Sequence, residues 1–169
     1  MLKIIHQQRG VSLVESMIAL LVISVGLLGI AALQITSISQ NSSALHHNQA
    51  VWAAYDMSDR IRANYTQFAG YAGQDTNAAA AQDCLTQTCT GVQMINADVD
   101  DWATLVANLP SGRGQIIANP ADANELLVAV MWDDAVATNG GAVAAAGGGA
   151  AGGACPIATL SCYTAVVSR

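Results

Sequence analysis

The sequence predicts an α+β fold in which one long N-terminal helix precedes a small head that contains β-strands. Residues 11–33 are twenty-three consecutive, mostly apolar residues with one charge, Glu15. No proline occurs before Pro110, so the helix can continue beyond the apolar run. Short strand-like runs follow only after Pro110. These three observations place the helix first and the strands last.

The apolar run is long enough to cross a membrane, because twenty-three residues at about 1.5 Å each exceed the roughly 30 Å hydrocarbon core. A secretory signal peptide has a shorter apolar stretch and a small-residue cleavage site after it, and residues 34–40 contain no such site. Lys3 and Arg9 precede the run, and basic flanks stay cytoplasmic. We therefore expect an inner-membrane anchor with the remainder of the chain in the periplasm.

Glu15 is the residue of this run that calls for a function. A carboxylate within a membrane segment costs about 2.5–3.5 kcal/mol on insertion scales, so it indicates a functional role by default. The alternative is that the side chain reaches the lipid headgroups, because Glu15 lies close to the start of the segment.

The residues around Glu15 read RGVSLVE from Arg9 and resemble the type III leader of type IV pilins and pseudopilins. The resemblance implies that a membrane peptidase cuts after Gly10, that the new N-terminus at Val11 is methylated, and that Glu15 guides assembly. Val11 stands where phenylalanine is usual in this family. The same resemblance implies a pilin-like fold, with the helix packed on a small antiparallel sheet.

Three internal segments are similar to markers of PilV-type minor pilins. They are AYDMSDRIRAN at residues 54–64, Asp101-Trp102 leading to LPSG at residues 109–112, and WDD at residues 132–134. The resemblance implies a leader at 1–10, a transmembrane and assembly half-helix at 11–36, and a periplasmic head at 37–169.

The function expected from this resemblance is that of a minor pilin in a type IV pilus, near the tip, supporting pilus assembly and pilus-dependent adhesion or twitching motility. Its partners would be other minor and major pilins, the prepilin peptidase/N-methyltransferase and the inner-membrane assembly machinery. The protein would move from the inner membrane to the extracellular pilus. The alternatives are a minor pseudopilin of a type II secretion system and, as a third class, a membrane-tethered periplasmic binding protein or enzyme.

The helix is predicted from about Ser12 to Asn64, with a one-sided apolar face in its second half. That face comprises Ala44, Val51, Ala54, Ile61, Tyr65 and Phe68. Residues 75–82 are predicted to form a loop. A second helix is predicted to start with Asp98 as its cap and to end at residues 110–112, because Trp102, Leu105, Val106 and Leu109 have i, i+3, i+4, i+7 spacing.

Strands are predicted at residues 115–118, 125–133 and 162–168, with Leu126, Val128, Val130 and Trp132 on one face of the second. Residues 139–153 are almost wholly glycine and alanine, which predicts a flexible loop.

Four cysteines, Cys84, Cys89, Cys155 and Cys162, all lie in the exported part of the chain, where disulfides persist. Each successive pair would close a short loop, which favours bridges from Cys84 to Cys89 and from Cys155 to Cys162. Four cysteines nevertheless allow three pairings.

The sequence indicates no catalytic set, metal site or cofactor. His46 and His47 are adjacent, so on a helix they point about 100° apart and cannot share an ion. The aspartates at residues 98–101 lack the glycine and glutamate of a calcium loop. The formal charge is −6 and becomes −8 without Lys3 and Arg9, which disfavours direct nucleic-acid binding.

Overall fold

The computed structural model describes residues 12–134 and 160–169 and confirms the α+β fold. Its helices are α1 (Leu13–Ala63) and α2 (Gly91–Val106), with 3₁₀ helices at Tyr65–Tyr71 and Thr76–Ala78, and its strands are β1 (Arg113–Ala118), β2 (Glu125–Trp132) and β3 (Ser161–Ser168). The chain divides into two compact units, Met1–Asn41 and Ser42–Arg169, and α1 contributes residues to both.

The strands form one antiparallel sheet in the order β1-β2-β3. Val128 in the middle strand is opposite Ile116 on one side and Ala165 on the other. All three are buried and belong to the core. Because side chains alternate along a strand, this register places the side chains of one face of the sheet against the helices.

The second half of α1 packs in this core through a stripe of small and flexible residues. The buried members are Ala50, Ala53, Ala54, Met57, Ser58 and Ile61. Of the predicted face, Ala54, Ile61 and Phe68 are buried, whereas Ala44 and Tyr65 are exposed. On a straight helix, residues seven positions apart drift around the helix axis by about 20° per heptad. The buried face of α1 therefore follows the three- and four-residue spacing that starts at Ala50.

The N-cap of α2 lies eight residues before Asp98, so the assignment of Asp98 as its cap is wrong. Thr90 is the N-cap: its hydroxyl accepts from the Gln93 amide at 3.3 Å, and the Gln93 side chain accepts from the Thr90 amide at 2.9 Å. This reciprocal pair is a capping box. Asp98 is instead buried within the helix.

Helix α2 ends at Val106, before the predicted end at residues 110–112, whereas the strand boundaries differ from the prediction by at most two residues. The predicted loop at residues 75–82 contains the one-turn helix Thr76–Ala78, since the Asp75 carboxylate accepts from the Asn77 amide at 2.9 Å and caps it. The predicted flexible loop at residues 139–153 lies outside the described residues.

Asp75 also pairs with Arg113 at the start of β1. Burial raises the pKa of Asp75, but the hydrogen bonds from Arg113 and from the Asn77 amide outweigh burial and hold the pKa below its ordinary value of 3.8. A carboxyl group whose pKa is lower in the folded than in the unfolded state stabilises the protein at pH values above its unfolded-state pKa. This stabilisation is lost as the pH falls through the folded-state pKa.

We therefore expect the stability difference between the wild type and Asp75→Asn to be constant above about pH 5 and to shrink below about pH 4. Denaturant unfolding of the full-length chain in detergent, at pH 7 and pH 3, measures this difference. An equal difference at both values would contradict the role of the ionised carboxylate.

Candidate assembly helix and the contacts of the head

The first half of α1 exposes its apolar side chains on every side. The large apolar residues from Leu13 to Leu33 are all more than half exposed. An 18-residue window of this helix has a mean hydropathy of 2.5, and none of that window is buried. By length and composition α1 can therefore cross a membrane.

The hydroxyl groups of this half-helix have partners on the helix itself. Ser24 donates to the Leu20 carbonyl at 2.7 Å, and Thr36 donates to the Ala32 carbonyl at 3.2 Å. In hydrocarbon no water is available, so a polar group needs such an internal acceptor. These hydroxyls consequently add little polarity to a surface that is suited to lipid or to packing against other helices.

Glu15 lies in the first turn of α1 and is exposed. A negative charge in the first turn interacts favourably with the helix dipole. Gly10 and Val11, the predicted processing residues, lie outside the described residues. The geometry thus places Glu15 at the start of the apolar surface.

In the head, residues 54–64 join α1 to α2 through one charged cluster. Arg60 donates to Asp56 at 2.8 Å and to Asp101 at 3.0 Å, and it reaches Asp98 at 3.4 Å. Burial lowers the pKa of Arg60, but the hydrogen bonds to Asp56 and Asp101 outweigh it and raise the pKa. The guanidinium therefore stays charged while it links the two helices.

Tyr71 completes this cluster from the inside. Its hydroxyl donates to the Asp98 carboxylate and accepts from the Asn64 side chain at 3.2 Å. Burial, followed by the hydrogen bond to Asp98, raises the pKa of Tyr71. Asn64 also donates to the Gly91 carbonyl at 2.9 Å, so the end of α1 is fixed to the beginning of α2. Spacing in the sequence gave no sign of this contact.

Trp102 joins the same two helices at the centre of the core. It is fully buried, and its indole N–H donates to the Ala53 carbonyl at 2.9 Å. A Cβ on Gly114 would lie 2.5 Å from the Trp102 ring, so only glycine fits beside it.

The turn after α2 also leaves no room for a side chain at Gly112. A Cβ on Gly112 would lie 2.0 Å from the Val106 carbonyl oxygen, and Ser111 has a positive φ of 50°. The Pro110 carbonyl accepts from the Asp133 amide at 2.8 Å, which ties this turn to the end of β2.

A disulfide joins Cys84 to Cys89. Cys162, which is buried in β3, is also disulfide-bonded, whereas Cys155 lies outside the described residues. The pairing of Cys155 with Cys162 therefore stays a prediction.

His47, one of the two adjacent histidines, lies against aromatic side chains of the sheet. The His47 ring lies 6.0 Å from the rings of Trp132 and Tyr163, in edge contact with both. A hydrogen bond to Tyr55, together with burial, raises the pKa of Tyr163 to about 12. Within the described residues, no group of three or more His, Cys, Asp or Glu side chains could hold a metal ion.

Two protein families match this chain. The family described as the prokaryotic N-terminal methylation motif matches residues 5–31, and the family described as Type IV pilin Tt1218 matches residues 32–100. The two matches are consecutive and together span more than half of the 169 residues. No curated protein and no solved structure matches significantly.

Proposed function

We propose, from the membership of this chain in the type IV pilin superfamily, that it is a minor pilin of the PilV type, incorporated near the tip of a type IV pilus. Membership makes the protein a structural subunit rather than an enzyme. Its role is to support pilus assembly together with other minor and major pilins, and through the pilus to support adhesion or twitching motility.

The observation that carries this proposal is the exposed apolar half of α1 with Glu15 at its start. In a membrane these side chains contact lipid; in a fibre they contact the helices of neighbouring subunits. The same surface serves both states because lipid tails and packed helices are similarly apolar. Extraction from the membrane into a helical bundle then requires no refolding of the helix.

The PilV-type assignment is supported by the contacts among the three internal markers. Residues 54–64 supply Arg60, which pairs with Asp101 of the second marker. The second marker also contains Pro110, whose carbonyl accepts a hydrogen bond from the Asp133 amide of the third. These segments are distant in sequence yet form one connected part of the head.

The protein is anchored in the membrane by its N-terminal helix before assembly. We place the head in the periplasm of the inner membrane because Lys3 and Arg9 precede the span. The Cys84–Cys89 disulfide supports this placement, since disulfides persist outside the cytoplasm.

Shearing fibres from the surface of cells that carry an epitope-tagged chain tests the proposal. We expect the tagged chain in the fibre fraction at low abundance relative to the major pilin, and fewer fibres when its gene is deleted. Normal piliation combined with a defect in protein secretion would instead identify a minor pseudopilin.

The mature protein is expected to begin at Val11 with a methylated α-amino group, because the chain matches the methylation motif across residues 5–31. Intact-mass measurement of the protein purified from membranes checks both the cleavage and the methyl group. A protein that still begins at Met1, in cells whose major pilin is processed, would contradict the expectation.

A further inference from the structure

The head carries an exposed groove of about 630 Å³ between α1 and α2. Its lining residues are Gln49, Trp52, Ala53, Asp56, Leu105 and Asn108. Trp52 is 78% exposed and Leu105 is 43% exposed. Leu45, seven residues before Trp52 and hence on the same side of α1, is 56% exposed.

A tryptophan with this exposure adds nothing to the core of its own chain. The core stripe of α1 lies on a different side, at Ala54, Met57 and Ile61. Exposed tryptophan beside aliphatic side chains is typical of the anchor points at which one protein binds another.

The groove is also acidic. Asp56 lines it, and Asp56, Asp98 and Asp101 surround the single guanidinium of Arg60, which leaves a formal charge of −2 on this cluster. The side chains of Asp56 and Asp101 are 41% and 66% exposed, so their charge reaches the surface. A groove that presents Trp52 and Leu105 beside the carboxylate of Asp56 fits an apolar anchor that has a basic residue next to it.

A second copy of this chain is poorly suited to supply that basic residue. The chain has only six Lys and Arg residues, and two of them, Lys3 and Arg9, lie in the predicted leader. Arg60, Arg62 and Arg113 are each paired with aspartates. Only Arg169 remains.

We propose that this groove binds a different subunit of the fibre, through a segment in which a large apolar side chain stands beside Lys or Arg. The apolar side chain packs between Trp52 and Leu105, and the cation lies against the carboxylate of Asp56. This inference rests on the proposed function, since it takes the occupant to be another pilus subunit.

A photo-crosslinking amino acid in place of Trp52, in the full chain within cells that assemble fibres, tests the occupant directly. We expect a crosslink to another fibre subunit, with Lys or Arg close to the crosslinked residue in its sequence. Val92 is an exposed apolar residue of α2 that does not line the groove, so the same substitution there is the matched control.

Substitutions at Gln49, an exposed residue of the groove, test whether the bound segment is basic. Gln49→Lys should lower the amount of the crosslinked or co-purified subunit about five- to tenfold, whereas Gln49→Glu should maintain or increase it. Glutamate has nearly the size of glutamine and lysine is only one atom longer, so the two variants differ mainly in charge.

The outcomes separate this inference from the proposed function. A chain that is present in fibres but crosslinks at position 52 only to lipid, only to its own copies, or to nothing would overturn the inference alone. Equal effects of Gln49→Lys and Gln49→Glu would overturn the charge complementarity on which it depends. Absence of the chain from fibres would overturn the proposed function, and with it the identity of the occupant.

Discussion

Replacement of Glu15 by alanine is expected to leave export and leader cleavage intact and to reduce incorporation into the fibre at least about tenfold. After cleavage, the α-amino group of Val11 on a neighbouring subunit is the cation that the proposed assembly brings to Glu15. Removal of one member of a buried ion pair costs about 3–5 kcal/mol, because the other charge stays buried without a partner. Incorporation should therefore fall, whereas an isolated subunit in the membrane buries no such pair.

Folding of the head should not change in this variant. The core that stabilises the head includes no residue of α1 before Ala50. The head of Glu15→Ala should thus show the same denaturant midpoint as the wild type. This measurement is needed because a misfolded head would also be missing from fibres.

Glu15→Gln separates shape from charge. It retains the size of the side chain and removes the carboxylate, so it should behave like the alanine variant if the ion pair determines incorporation. The assay compares the abundance of each variant in sheared fibres with its abundance in membranes. Normal incorporation of both variants would refute the pairing with Val11.

Replacement of Trp102 by alanine is expected to destabilise the head by about 3–5 kcal/mol, the usual cost of truncating a buried aromatic residue. The ring packs directly against Gly114, which has no side chain to fill the space. The indole bond to the Ala53 carbonyl is lost as well. Since natural domains are stable by only about 5–15 kcal/mol, this is a large fraction of the total.

Trp102→Phe serves as the control for this prediction. Phenylalanine keeps most of the ring but has no N–H, so we expect a smaller loss, of about 1–3 kcal/mol, from the unmade hydrogen bond and the reduced volume. Denaturant unfolding of the full-length proteins in detergent measures both values. A loss below about 1 kcal/mol for Trp102→Ala would show that Trp102 does not hold α1 and α2 together.

The sequence alone was sufficient for the features that depend on local composition. The part of α1 that can cross a membrane follows from a run of apolar residues that is longer than the hydrocarbon core of a bilayer is thick. The strands were located to within one or two residues, because burial on a sheet leaves an apolar pattern along each strand. The position of Glu15 in the first turn follows from its place in that run.

The beginning of α2 was also present in the sequence but was assigned to the wrong residue. Thr90 and Gln93 have the spacing of a capping box, and the prediction preferred Asp98 because aspartate is a common cap and Trp102 follows it. Both residues fit the local rule for a cap. What distinguishes them is that Asp98 is needed by Tyr71 and Arg60, which are distant in sequence.

Contacts between segments that are far apart were decided only by the tertiary structure. The Arg60 cluster joins residues about forty positions apart, and the groove at Trp52 exists only because α2 lies beside α1. Local patterns record which side chains are apolar, but they do not record which surfaces meet. For this reason the sequence determined the helix that is long and apolar enough to cross a membrane, whereas only the folded head shows the groove that we propose as a binding site.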